Sequence, residues 1–441
     1  MSICHSLGAI FRCLPDLLPT HWCRQRGSLG PAPVFLSLMF MSVLGTKGYE
    51  RTILEMKAQL GRKLGWDLPD KMPSASALSQ ARRKLDAKRC GEVMAQVYQL
   101  CSTAREHADV CYGDYRVLAV DGTHLPVPAY RAMRNHFGCP TQGAGKPPLG
   151  PQASLVTLWD VGANQPVGWR LGPYRASERV LGAELITTLK PGDLLLADRG
   201  FPSRRTITDL HQCGADFLMR LCCTGPHIYP EVAAFNAGAS EDALIAFAHI
   251  KGQAPLGLRL LRQRMPDGSV AVYITTLIDQ QRHPTGVLIA LYAKRWRIET
   301  AFRELKLWHG LERFHARHVD GIAQEICAMM VFQLLASELE ARARLQHGLT
   351  PQEQTPVQVE EPHQIQQPVV RYNRRILGDC VVRLLHAGTS GDDEIRREFD
   401  FSLFHLWRYR QKVRPGRSFP RQRQSSPRGW KDRGTKGKGR P

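Results

Sequence analysis

Tyr292, Arg295, Glu299 and Lys306 put a phenol, a carboxylate and two cations within one short segment, YAKRWRIETAFRELK. The segment holds no Gly or Pro and its residues favour or tolerate helix, so the sequence predicts one helix over 292–306. At about 100° per residue the four side chains fall in a wedge of roughly 60°. An apolar stripe of Leu291, Ile298, Phe302 and Leu305 lies beside them and would face a core. A carboxylate at a core boundary can hold a divalent cation while Arg and Lys neutralise phosphate oxygens. Taken alone, the same charges also describe a solvated helix face with an ordinary Arg295–Glu299 pair at i,i+4.

Two upstream aspartates shift that balance. Val117–Val120 reads as a buried strand running into Asp121-Gly-Thr-His124, and Asp193–Ala197 as another delivering Asp198 before Arg199-Gly200-Phe201. An Asp after a strand is most often a turn former, so neither counts for much singly. Two strand-end aspartates and a later helical Glu make three carboxylates, the kind of set that holds two divalent ions about 4 Å apart for phosphoryl transfer.

The elements that must position these groups alternate in type. Residues 154–159 and 166–171 read as strands, 177–189 as a helix, 203–212 as a helix and 216–221 as a strand. With the strands at 117–120 and 193–197 this is an α/β order, in which working residues gather where strands end. Strands at 258–264 and 270–277 are joined by Pro266-Asp-Gly268. Residues 1–105 read as helical, with Arg82, Arg83, Lys84, Lys88 and Arg89 clustered as candidate phosphate contacts. A long amphipathic helix is expected over 322–345, a linker over 351–370 and short helices at 392–399 and 403–409.

Composition narrows the partners. Sixty Lys and Arg against 40 Asp and Glu leave a formal charge of +20 on 441 residues, which points to a polyanion. No apolar run approaches the roughly 18 residues of a membrane span, and 34–44 is too short and too far from the terminus for a signal peptide. The 12 cysteines lack zinc-like spacing and read as reduced thiols of a cytoplasmic protein. From Arg408 onward thirteen Lys or Arg face only Asp432, a tail expected to be disordered and to attract DNA without sequence preference.

The gapless Y-x2-R-x3-E-x6-K spacing of Tyr292, Arg295, Glu299 and Lys306, with the Val120-Asp-Gly-Thr123 and Ala197-Asp-Arg-Gly-Phe201 segments in order, resembles the bacterial insertion-sequence transposases of the DDE class. The likeness runs from about Ser74 to about Arg317. It implies an RNase H-like catalytic core (106–320) with a strand-rich insertion at about 222–284. The flanks would be a helical, DNA-binding N-terminal region (1–105), a helical C-terminal region (321–407) that either packs on the core or serves self-association, and the basic tail (408–441). It further implies that Asp121, Asp198 and Glu299 bind two Mg²⁺ ions, with Mn²⁺ able to substitute, and that Tyr292, Arg295 and Lys306 contact DNA phosphates. The partners implied are the element's terminal repeats, target DNA and a second copy of the chain when assembled on DNA. No nucleotide cofactor is expected. Some relatives stack a flipped base on a Trp of the insertion. Here no Trp lies between Trp169 and Trp296, which leaves Tyr273 and Phe247 as the candidate substitutes. A metal-dependent nuclease that cuts without joining, and an inactive DNA-binding relative, are the alternative readings.

Overall fold

Strand β1 (Arg116–Pro126) starts with Val117, Leu118, Ala119 and Val120, all buried, because a central strand is covered on both faces. Its odd-numbered apolar residues, Val117, Ala119 and Leu125, join one hydrophobic cluster, while Leu118 and Val120 join another. The period-2 alternation of a strand therefore assigns every residue of β1 to one of two layers. The computed structural model describes residues 29–44, 48–60, 72–108, 110, 112–141, 149–223, 228–248, 254–265, 267–347, 370–371, 374–387 and 392–412.

β1 is flanked by β2 (Gln152–Asp160), antiparallel, which in turn carries β3 (Gln165–Pro173). On its other side β4 (Asp193–Ala197) and then β5 (Asp216–Leu221) run parallel to it. The sheet continues through β8 (Val270–Thr275), β7 (Leu256–Arg264) and β6 (Asp242–Phe247), all antiparallel to their neighbours, in the order β3-β2-β1-β4-β5-β8-β7-β6. The first five strands, a three-stranded antiparallel meander followed by two parallel crossovers, form an RNase H-like core. The strand-rich insertion is not a separate sheet; it extends the same one.

The second face is covered by α7 (Glu178–Ile186), α8 (Arg204–Cys213) and α9 (Pro230–Ala237). The first face carries α6 (Arg131–Phe137), α10 (Thr285–Ala293), α11 (Trp296–Trp308) and α12 (Val319–Gln346). On this side also lie α1 (Pro31–Leu44), α2 (Tyr49–Leu60), α3 (Ala75–Arg82), α4 (Ala87–Leu100) and the short α5 (Thr103–Glu106). Helices α13 (Arg374–Ala387) and α14 (Asp392–Arg408) complete that layer. α12 is apolar enough and long enough to cross a membrane by composition, yet it is buried along most of its length between α4, α1 and the sheet. The basic tail beyond Lys412, residues 1–28 and the linker 351–369 lie outside the described residues.

The structure changes several expectations. Residues 292–306 do not form one helix. α10 ends at Ala293 and α11 starts at Trp296, with i→i+3 bonds from Arg295 N–H to Tyr292 C=O and from Ile298 N–H to Arg295 C=O. This single overwound turn tightens the chain to about three residues per turn. Residues 392–408 form one continuous helix through both stretches read as helical, α13 lies in the C-terminal region expected to be helical, and α9 and β6 were not foreseen. Arg82 is no phosphate contact. It is buried, pairing with Glu325 of α12 at 2.6 Å and donating to Gln324, Tyr49 and the Gly321 carbonyl. Arg83, Lys84 and Arg89 are exposed.

Candidate active site

Asp121 sits in the middle of β1 and not at its end: the ladder to β2 continues through Asp121 opposite Thr157 to Pro126 opposite Gln152. The expected turn after Asp121 is therefore five further residues of strand. Asp198 does follow the end of β4, in a turn where its side chain accepts from Arg199 N–H at 2.6 Å and its carbonyl from Phe201 N–H at 3.0 Å. The parallel register sets Val120 beside Ala197, so the next residues, the two aspartates, leave neighbouring strands at one level.

Glu299 comes to them from α11, whose buried Ile298, Ala301, Phe302 and Leu305 seat it on the first face. Arg295, at the overwound turn, joins the acids. Its Nη2 lies 2.8 Å from Glu299 Oε1 and its Nη1 3.4 Å from Asp121 Oδ2. Arg295 is only 5% exposed. Burial alone would lower its pKa. Tyr292, the hydrogen bond to Glu299, and the charges of Asp121 and Asp198 more than offset this and raise it, so the guanidinium stays charged. Tyr292 donates from its hydroxyl to the Ala197 carbonyl at 3.3 Å, tying α10 to the residue before Asp198. Burial pushes the Tyr292 phenol up, so it remains a neutral donor.

Lys306 lies on the last turn of α11 and pairs with Glu312 at 2.9 Å. Arg295 thus joins Asp121 and Glu299, and Tyr292 is tied to the residue before Asp198, whereas Lys306 is held by an acid of the following loop. Neither of the two candidate substitutes is free to stack a base. Tyr273 packs edge-to-face on Tyr292 with ring centres 4.7 Å apart, and Phe247 is fully buried.

Burial raises the Asp121 carboxyl to about 6. The Gly122 N–H and Arg295 pull it down, while Glu299 and Glu178 push it up. Glu178 escaped notice in the sequence because it is the first residue of α7, where an acid reads as a favourable dipole partner. A Cβ on Gly122 would stand 2.4 Å from the Glu178 carboxyl carbon, so this fourth acid rests against the backbone beside Asp121.

The donor chemistry suits a hard divalent cation: carboxylate oxygens from three separate elements, with an acid set that carries more negative charge than Arg295 neutralises. Two buried polar atoms border the acids without a partner, Arg295 Nε and the Thr157 hydroxyl across the ladder from Asp121. Among the described residues no three His, Cys, Asp or Glu side chains converge as a ready metal cage, because Arg295 stands between Asp121 and Glu299.

Comparison with known proteins adds the family. Residues 112–335 match the model of the transposase DDE domain, a span that includes Asp121, Asp198 and Glu299. The chain is 26% identical over 255 residues to the transposase InsG for insertion sequence element IS4 of Escherichia coli, covering 56% of this chain and 57% of that protein. It is 26% identical over 215 residues to the putative transposase InsZ of the same organism, covering 49% and 66%. A shorter match, 26% over 125 residues, is to the transposase for insertion sequence element IS231B of Bacillus thuringiensis, 28% of this chain and 24% of that one. The chain spans less than two thirds of the length of each of these relatives, from 24% to 66%. A cryo-EM structure of the piggyBac transposase synaptic complex with hairpin DNA aligns at TM-score 0.43 and 10% identity, over 93% of this chain and 87% of that chain. The family model covers half of the sequence and the sheet order above is the one such a core requires, so the chain belongs to the DDE-domain transposases.

Proposed function

We propose that this protein is a transposase that binds the ends of an insertion sequence, cleaves DNA there and joins those ends to target DNA. The observation that carries the proposal is the Arg295 clamp, which gathers Asp121 and Glu299 from a strand and a helix beside the turn holding Asp198. Asp121, Asp198 and Glu299 would hold Mg²⁺ or Mn²⁺, two ions in all. When bound, the ions supply the Lewis-acid charge that stabilises attacking and leaving oxygens in phosphoryl transfer. Tyr292 keeps α10 against the Ala197 carbonyl and so fixes the approach of Glu299 to Asp198. Arg295 balances the acids, and once they are otherwise neutralised it turns its fork toward a phosphate. Lys306, released from Glu312, provides a second phosphate contact.

The net charge of +20 supports DNA, element ends and target alike, as the partner. The protein would work in the bacterial cytoplasm on the nucleoid, as a homodimer on DNA. Residues 1–105 would contribute DNA binding, 106–320 catalysis and 321–407 self-association, with 408–441 as an electrostatic tail.

The test is Mg²⁺-dependent nicking and strand transfer on element-end DNA by Asp121→Ala, Asp198→Ala, Glu299→Ala and the triple variant. Groups acting as a unit are strongly non-additive, so each single variant should be almost as inactive as the triple. End binding should survive in all four, because phosphate contacts come from Arg and Lys. Near-parental nicking by Glu299→Ala would defeat the proposal; nicking without joining would reduce the protein to a nuclease.

A further inference from the structure

The hairpin that β1 and β2 build beyond Asp121 is free of acid. Between Asp121 and Asp160 there are 38 residues and no Asp or Glu, in a chain where 40 of 441 residues are acidic. In the middle of this stretch α6 anchors itself by burying Met133 and Phe137 at i,i+4, which leaves Arg131 and Arg134 exposed on its outer side. Its end is fixed by Gly138, whose φ of +77° closes the helix and whose open side receives the ring of Tyr174. The chain leaving the other half of the site arrives at the same place. After α11 the exposed Arg313 and Arg317 follow, and the Arg317 guanidinium lies 5.9 Å from the ring of Tyr130, itself 43% exposed. Among the described residues none of Arg131, Arg134, Arg313 and Arg317 pairs with a carboxylate. A surface kept merely for solubility would mix both signs. Here the hairpin contributes cations alone, and of the acids beside Arg313 and Arg317, Glu312 is held by Lys306.

Resting on the function proposed above, the geometry points to this platform of Tyr130, Arg131, Arg134, Arg313 and Arg317 as a seat for the duplex flanking the cut. It would grip DNA phosphates of that duplex away from the scissile one. β1 runs five residues past Asp121, roughly 17 Å at about 3.4 Å per residue, before the chain turns toward α6, so the platform stands off from the acids. α6, α11 and Asp121 share the first face of the sheet, so one duplex can reach both. Arg205, exposed on α8 of the opposite face, serves as the control cation.

The experiment compares the full-length parent, the paired Arg131→Gln, Arg134→Gln variant and Arg205→Gln. Affinity for a short duplex of arbitrary sequence is measured across a salt series, after thermal melting has checked that all three fold alike. The pair should lower the slope of log affinity against log salt by about two, one counterion set per lost phosphate contact, and Arg205→Gln should leave it unchanged. Methylphosphonate links walked along the flanking duplex should weaken the parent at the gripped phosphates and leave the pair unaffected there. An unchanged slope in the pair, or an equal fall with Arg205→Gln, overturns the platform while the parent's DNA binding and nicking stand. A parent without affinity for duplex DNA overturns both this platform and the function it rests on. Inactive acid variants alone bear only on the latter.

Discussion

Arg295 reaches from a helix turn to Asp121 on the central strand, 3.4 Å away, while keeping its i,i+4 hold on Glu299 at 2.8 Å. One cation thereby stands where two acids would otherwise repel each other.

Arg295→Ala should therefore weaken the metal-free protein by about 2–4 kcal/mol, since removing one member of a buried charge set leaves the others uncompensated. Mg²⁺ should raise the melting temperature of the variant more than that of the parent, because the ion then supplies the missing charge. Lys at this position should not restore the parental curve, as a single ammonium cannot fork to both acids. Melting scans with and without Mg²⁺ decide it; equal Mg²⁺ shifts would sink the idea.

Asp121→Asn tests the burial of its carboxyl. The folded value of about 6 lies above the ordinary value for an aspartate, so the native state holds the proton more tightly than the unfolded chain. That contribution is complete below the unfolded value and is lost as pH rises through about 6. Without metal at pH 7.5 the Asn variant should be more stable than the parent by about 2 kcal/mol, with the gain shrinking toward pH 4. Chemical denaturation at the two pH values is the measurement, and a gain independent of pH would contradict it.

Gly122→Ala drives a methyl group into the Glu178 carboxyl, 2.4 Å from where its Cβ would lie. The side chain must swing away from Asp121, at a cost of about 1 kcal/mol. In Glu178→Ala the same substitution should cost almost nothing. A double-mutant cycle that shows no coupling would remove Glu178 from the site.

Arg82→Ala should cost about 3–5 kcal/mol, because Glu325 is left as a buried, uncompensated charge. Its DNA salt slope should match the parent at permissive temperature. A flattened slope in a stable protein would mean that Arg82 faces phosphate after all.

The sequence made the acids legible and misjudged some of their surroundings. Asp198 stands where a strand ends, as its Arg-Gly sequel suggests, whereas Asp121 and Gly122 mimic a turn. Gly122 is small there because Glu178 lies against it, a tertiary cause invisible to local rules. Arg82 and Arg83 are neighbours of the same type with opposite fates; only the arrival of Glu325 from 243 positions downstream separates them. The helix break at Lys294–Arg295 has no Gly or Pro to announce it. Packing of Tyr292 on Tyr273 and Ala197 on one side, and of Ile298 on the core on the other, calls for a phase that a straight helix does not give.

The first-face core has a consequence for how the chain can be divided. It runs without interruption from Phe35 and Phe40 of α1 through Ile298 and Phe302 to Phe332 of α12 and Leu403 of α14. A fragment trimmed to residues 112–335 would stop inside α12 and strip the apolar covering supplied by α1 and α4 from what remained. Such a piece would keep every acid and still present a large greasy flank to water, a recipe for clumping. The acid-bearing sheet is therefore not a detachable cassette: heat should melt it and the flanking helices in a single transition.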